Sequence, residues 1–330
     1  MSSRTISPEL WSIVFLQVHA DSLPLLCMVS RSFRAEAEHV LYHSVDLCEL
    51  DKVRAWCTAM AQADCLASYT YFLVLKLPYN LGLEDLELIQ CALRRCVNLE
   101  RLQILADVQL CLALKIEAPS RDGARWSPIT GCSFSLTHFT NTYFILPTSR
   151  ALQQFWPRQR ELRFLSIPMD DCREIPCSDP TALVALEVPS HALPRIVLPL
   201  QRLQIHMGRK NKAEELSSLP LYAGTLRTLN IVLHKNGQFH ISELVKAVAE
   251  AVPMLQHFAV MEDTSVRRSA ACQGSLITHT QPHNWLRFEP CPVDAVAKFS
   301  ALESFVLQMH SARGIHFRAD MGSWTPHVDM

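Results

Sequence analysis

The chain holds 330 residues, enough for about two self-sufficient cores, and is 49% hydrophobic but only 19% charged. Lys plus Arg number 31 against 32 Asp plus Glu, so there is no positive excess to neutralise phosphates, and no nucleic acid is expected as partner. No uninterrupted apolar run reaches the roughly 18 residues of a membrane span, so no membrane is expected either.

The elements begin at once. Ser7 is placed to cap a first helix from Pro8 to about Val18, in which Pro8 suits the first helical position and Glu9 faces the positive end of the helix dipole. Leu10, Val14 and either Ile13 or Val18 mark its apolar face. A short second helix is expected over Leu23 to Val29, capped by Ser22 and with Pro24 in its first turn. Ser30 caps a third, Arg31 to His43, with Phe33, Ala37, Val40 and Leu41 at helical spacing. A unit this small is near the lower limit for independent folding, so it is expected to lean on the rest of the chain or to complete itself against a partner.

Beyond it a pattern recurs, Leu-x-x-Leu-x-Ile/Val with apolar substitutes. It reads "FLVLKL" (72–77), "LERLQI" (99–104), "LRFLSI" (162–167), "LVALEV" (183–188), "LQRLQI" (200–205), "LRTLNI" (226–231), "LQHFAV" (255–260) and "LESFVL" (302–307). "LTHFTN" (136–141) is a weaker ninth copy, with Asn141 at an apolar position. Successive starts lie 27, 37, 26, 21, 17, 26, 29 and 47 residues apart, mostly in or near the period of leucine-rich repeats. Each hexad reads as a short strand whose second and third apolar residues share one side, and such a strand buries that side only when copies stack. Helices are expected between copies at 50–60, 84–96 (Leu86, Ile89 and Leu93 together), 148–156 (Thr148 cap, Pro157 stop) and 242–252. The last has a Ser242 cap, a stripe of Val245, Val248, Ala249 and Val252, and Pro253 as its stop.

The N-terminal stretch "ISPELWSIVF…LPLLCMVSRSFRAEAEHVLY" resembles an F-box. Ile6 stands at the family's Leu, and Glu9 and Leu10 match. Val14 and Phe15 hold the apolar pair of the first helix, and Leu23, Leu26 and Met28 fill the second. Val29, Ser30, Arg31, Phe33 and Arg34 match the Val-Ser-Arg-x-Phe/Trp-Arg segment. Ser7 replaces the family proline, and Pro24 stands where the family prefers an apolar residue. With the junction that follows, the chain looks like fungal, basidiomycete-type F-box proteins with degenerate leucine-rich repeats. The resemblance is specific over 6–47, looser to about 105, and rests on the repeats beyond.

The fold expected is therefore α/β, a three-helix F-box followed by an irregular leucine-rich-repeat solenoid. Residues 1–47 form the F-box, 48–71 a linking helix or first repeat, and 72–330 the array, with a loop or insertion at 262–290. The resemblance implies docking on the small adaptor of a cullin–RING (SCF) ubiquitin ligase, with a protein substrate held by the repeats and no catalysis by this chain. Ile6, Pro8, Leu10, Val14, Phe15, Leu26, Val29, Ser30 and Phe33 would carry the docking. The alternatives are an N-terminal cap that only shields the array, a repeat scaffold without a ligase, and an enzyme of unrecognised kind.

Opposite the core side, the hexads present Arg101, Gln103, Glu187, Arg202, Gln204, His206, Thr228, Asn230, His257 and Ser304. This face is polar and mixed in charge, as suits a protein partner better than an apolar ligand. Catalytic signatures are not found. There is no G-x-G-x-x-G or P-loop, and "GCSFS" (131–135) lacks the last glycine of a nucleophile elbow. His39 and His43, with no Glu after His39, are expected on the exposed side of their helix, and Asp170 and Asp171 in a turn. Cys272, His279, His283 and Cys291 fit no common zinc spacing, with Pro282 breaking any helix between the histidines, so no metal or cofactor is expected.

Twelve cysteines occur without a C-x-x-C pair, a glycosylation sequon or a signal peptide, which points to cytoplasm and/or nucleus. The end, "GSWTPHVDM", is read as lacking a closing cap, as in a truncated chain.

Overall fold

The structure, a computed structural model, describes residues 8–78, 81–106, 128–143, 155–167, 182–208, 216–233, 241–262, 293–308, 315–320 and 323–328. Its described residues fall into two compact units, one up to Gln159 and one from Arg160 on.

The first unit opens with three helices, α1 (Pro8–Phe15), α2 (Leu23–Leu26) and α3 (Arg31–His43). Strands β1 (Ser44–Leu47), β2 (Phe72–Leu77), β3 (Arg101–Ala106) and β4 (His138–Asn141) follow, each parallel to the next. Helices α4 (Leu50–Gln62), α5 (Asp64–Ser68) and α6 (Leu83–Arg95) lie in the connections. Helix α4 buries Val53, Trp56, Cys57 and Met60, a stripe at helical spacing. Helix α6 places Glu84 and Asp85 in its first turn and Arg94 and Arg95 in its last, matching its dipole at both ends. Arg54 of α4 grips Asp85 of α6 with two hydrogen bonds, Nε to Oδ1 at 2.7 Å and Nη2 to Oδ2 at 2.8 Å.

In the second unit, β5 (Phe164–Ser166), β6 (Ala185–Pro189), β7 (Arg202–Met207), β8 (Thr228–Leu233), β9 (His257–Glu262) and β10 (Ser304–Gln308) run parallel in sequence order. Helix α7 (Ile241–Ala251) buries Leu244, Val245, Val248 and Ala249, and a single turn, α8 (Val293–Val296), precedes β10. The sheet then reverses into an antiparallel pair, β11 (Ile315–Asp320) and β12 (Ser323–Val328). The protein is thus α/β, with four parallel strands in one unit and six in the other among the described residues.

One backbone device recurs. The carbonyl of the second residue in a hexad accepts two consecutive N–H groups from the next copy. Tyr71 takes Glu100 and Arg101, and Glu100 takes Thr137 and His138. Arg163, Val184, Gln201, Arg227 and Gln256 do the same in the second unit. From β3 to β10, every strand starts at the third residue of its hexad.

That register corrects the first copy. Phe72 pairs with Arg101 and Leu73 with Leu102, so the aligned hexad is "TYFLVL" (70–75), two residues earlier than "FLVLKL". Thr70 occupies the buried first position, its hydroxyl donating to Leu66 O at 3.4 Å. A further copy, "YHSVDL" (42–47), lies inside the segment assigned to the N-terminal unit, since β1 pairs Val45 with Leu73 and Leu47 with Leu75. Asn141 is wholly buried in β4, its Oδ1 accepting the Tyr143 N–H at 3.2 Å.

Other expectations shift as well. Helix α1 stops at Phe15 rather than Val18, its end tightening into Gln17 N to Val14 O and Val18 N to Phe15 O bonds. Helix α2 is one turn, Leu23–Leu26, and Ser22 stays helical with no side-chain capping bond. Ser30 is extended and does cap α3, its Oγ accepting the Phe33 N–H at 3.2 Å. Ser242 lies within α7 rather than before it. The helix expected over 148–156 lies mostly outside the described residues, and Pro157 sits in the first turn of a 3-10 helix, Trp156–Arg158. Thr148, Asp170, Asp171 and nearly all of the 262–290 loop lie outside the described residues.

Candidate functional site

The N-terminal helices enclose a small core of Phe15, Leu23 and Ala37, against which Trp11, Val18, Leu26, Cys27, Phe33, Val40 and Leu41 pack. The rings of Trp11, Phe15 and Phe33 meet pairwise, with centroids 4.6 to 5.8 Å apart. Outside this core stands a contrasting set. Leu10 (53% exposed), Ile13 (59%), Val14 (48%), Leu25 (67%), Met28 (83%) and Val29 (63%) remain open, as does Leu16. A monomer rarely leaves so many large apolar groups exposed in so short a segment.

The expected docking residues divide accordingly. Leu10, Val14 and Val29 are exposed; Leu26 and Phe33 are half-buried against the core. Phe15 is buried at 2% exposure, which makes it a core residue and not a contact, because both neighbouring aromatic rings close over it. Ser30 is exposed and spends its hydroxyl on the cap. Pro8 begins α1, and Ile6 lies outside the described residues. Ile13, Leu25 and Met28 were not expected there. Their signal was the i, i+3 spacing of Leu10 with Ile13 and the unbroken apolar run through α2.

The same helices are tied to the sheet. His39 and His43, expected on the exposed side of α3, instead meet aromatic rings. His39 meets Tyr69 edge-on at 5.0 Å, and His43 stacks on Tyr71 at 5.0 Å and meets Phe72 at 5.1 Å. Burial, with the nearby His39 second, lowers the His43 pKa from its ordinary value.

On the strand faces, Arg101 and Gln103 belong to the first unit, where both are exposed and the Arg101 guanidinium lies 4.8 Å over the Phe72 ring. The other expected residues belong to the second unit. Arg202, Thr228, His257 and Ser304 occupy one register row, with His257 Nδ1 2.9 Å from Ser304 Oγ. The next row brings Glu187, Gln204 and Asn230 side by side on β6, β7 and β8.

Here the side chains form a connected ladder. Ser166 Oγ donates to Glu187 Oε2 at 2.7 Å, and Gln204 Nε2 and His206 Nε2 lie 2.7 and 2.8 Å from Oε1. Asn230 Nδ2 reaches Gln204 Oε1 at 3.4 Å. Glu187 is mostly buried. Desolvation pushes its pKa up, but the donors from His206, Ser166 and Gln204 outweigh it and hold the carboxyl below its ordinary value. Ser166 was missed, although the rule that selected Glu187 also selects it, at the fifth position of "LRFLSI". In this cluster hydroxyl and imidazole both bond the carboxylate, so the imidazole does not stand between the other two as it does in a nucleophilic triad.

The thiols of Cys57, Cys96 and Cys132 are pushed up to about 12 by burial and stay protonated at neutral pH. Among the described residues no three His, Cys, Asp or Glu side chains gather as a metal site, and no helix is long and apolar enough to cross a membrane. Cys272, His279, His283 and Cys291 lie outside the described residues. Compared with known protein families and with curated proteins, the chain matches no family model and no curated protein.

Proposed function

We propose that this protein is a non-catalytic substrate-recruiting subunit of an SCF-type ubiquitin ligase, working in cytoplasm and/or nucleus. Its N-terminal helices act as an F-box that docks on the small adaptor, and its strands form a degenerate leucine-rich-repeat solenoid that holds a protein substrate. The observation that carries this is the open apolar set, Leu10, Ile13, Val14, Leu25, Met28 and Val29, around a closed core of Phe15, Leu23 and Ala37. Helices of α1 and α2 size that serve only as a shield have no need of apolar groups on their outer side. Helix-in-groove docking needs such groups, spaced along one or two helices.

A second reading has one observation in its favour. Helix α3 runs directly into β1 and its histidines meet the rings of Tyr69, Tyr71 and Phe72, as in an end cap of a repeat scaffold with no ligase. Both readings meet in one experiment, binding of the purified full chain to purified SCF adaptor. Wild type should bind, and the Leu10→Asp, Val14→Asp double variant should lose about tenfold or more in affinity with its melting temperature unchanged, since both residues are about half exposed. A wild type that does not bind leaves only the scaffold reading.

A further inference from the structure

We infer that the ladder formed by Glu187, Gln204 and Asn230 on the second unit is a recognition point for one cationic side chain, lysine or arginine, of the protein partner. The inference rests on the reading that the strand face holds a partner, and adds the chemistry of what it reads.

The ladder has a fixed polarity. A carboxylate only accepts, so Gln204 must turn its amide nitrogen to Glu187. Its carbonyl oxygen then faces Asn230, which must donate in turn. The carbonyl oxygen of Asn230 is left on the far side, toward β9, where the register neighbour is Ala259, a residue with no side-chain donor. Every polar group along the row has its donor end drawn toward one carboxylate. Outward, the row ends in an acceptor.

Charge agrees with this polarity. Ser166, Gln204 and His206 fill three of the four acceptor positions that a carboxylate has, and Ser166, Gln204 and Asn230 bring no charge of their own. The Glu187 side chain is 22% exposed, so its charge is reachable yet shielded from bulk water, where attraction to a cation is stronger than at an open surface. Phe164, half-buried two residues before Ser166 and paired with Ala185, presents an aromatic ring on the same strand face, suited to the stem or head of a bound lysine or arginine. Ala185 and Ala259 flank the row with the smallest side chains on that face. The charged or titratable neighbours on β6 to β9 in the two adjacent rows are His206, already bonded to Glu187, on one side, and Arg202 and His257, both exposed, on the other. Arg202, diagonal to Glu187, acts as a resident competitor for the site.

The test uses the full chain, immobilised and panned with phage-displayed randomised peptides at neutral pH and moderate salt. Selected peptides are then synthesised and measured against wild type and the variants Glu187→Gln, Asn230→Ala and Arg202→Gln. The peptides should share a lysine or arginine whose replacement by alanine weakens binding about tenfold or more, and Glu187→Gln should weaken it equally. Asn230→Ala should weaken it less, and Arg202→Gln should tighten it. If Glu187→Gln does not fold, judged by its circular dichroism, the peptide replacements and Arg202→Gln decide. Peptides that bind this face without a basic residue, or indifferently to Glu187 and Arg202, overturn the inference and leave the partner face standing. No selected peptide at all overturns both.

Discussion

His206 Nε2 lies 2.8 Å from Glu187 Oε1, across adjacent strands and with both side chains mostly buried. The carboxylate accepts, so that nitrogen carries the proton. Because the folded pKa of Glu187 is depressed, its contribution to stability is full above the ordinary carboxylate range. It is lost as the pH falls through that range and past the lower folded value. Glu187→Gln should therefore flatten the acid limb of a melting-temperature profile. An unchanged limb would mean that the ladder does not discriminate between the ionised and protonated acid.

His43 predicts a second pH effect at milder acidity. Its lowered pKa means that folding favours the neutral ring. The contribution is complete above the ordinary histidine pKa and declines as the pH falls through it to the folded value. His43→Phe, which keeps an aromatic ring against Tyr71 and Phe72, should remove that decline. A variant with the same pH profile as wild type would place the sensitivity elsewhere.

The N-terminal helices predict a contrast between neighbours. Phe15→Ala should cost about 3–5 kcal/mol, the price of emptying a packed aromatic position. Met28→Ala, at 83% exposure, should change stability by about 0.5 kcal/mol or less. Urea unfolding of both variants checks this, and equal effects would contradict the division into core and open surface.

Gln159 is a buried amide with every group used. Its oxygen accepts the Leu136 N–H at 2.7 Å, and its nitrogen donates to Phe134 O at 3.1 Å and Phe155 O at 3.3 Å. Gln159→Leu leaves three backbone groups without this partner and should destabilise by about 3 kcal/mol or more. A loss under about 1 kcal/mol in denaturant unfolding would show that backbone shifts repair the site.

The parallel strands were legible because nearly every hexad has apolar residues at its first, fourth and sixth positions, the last two on one side of the strand, and these are buried in most copies. Where that code thins, the reading slipped. Thr70 stands for the first leucine and hides the true frame of its copy, and "YHSVDL" offers only Tyr42, Val45 and Leu47 at the end of a helix. The rotation of α1 was not legible for the opposite reason. "LWSIVF" is apolar almost all round, so periodicity cannot tell the buried Phe15 from the exposed Ile13 and Val14. The ladder's members could be found by position in the hexad, but its bonds depend on register between copies that no single hexad contains.

The doubly accepting carbonyls have a consequence for change over time. Register between copies is held by main-chain atoms at one place in each hexad, whatever the side chain there, as Tyr71, Glu100, Val184 and Gln256 illustrate. Connections can therefore lengthen, shorten or be exchanged while the rows on the strand face stay aligned. Starts spaced as unevenly as 17 and 47 residues give strands in step. Such a scaffold lets its loops diversify freely without scrambling what the strands display.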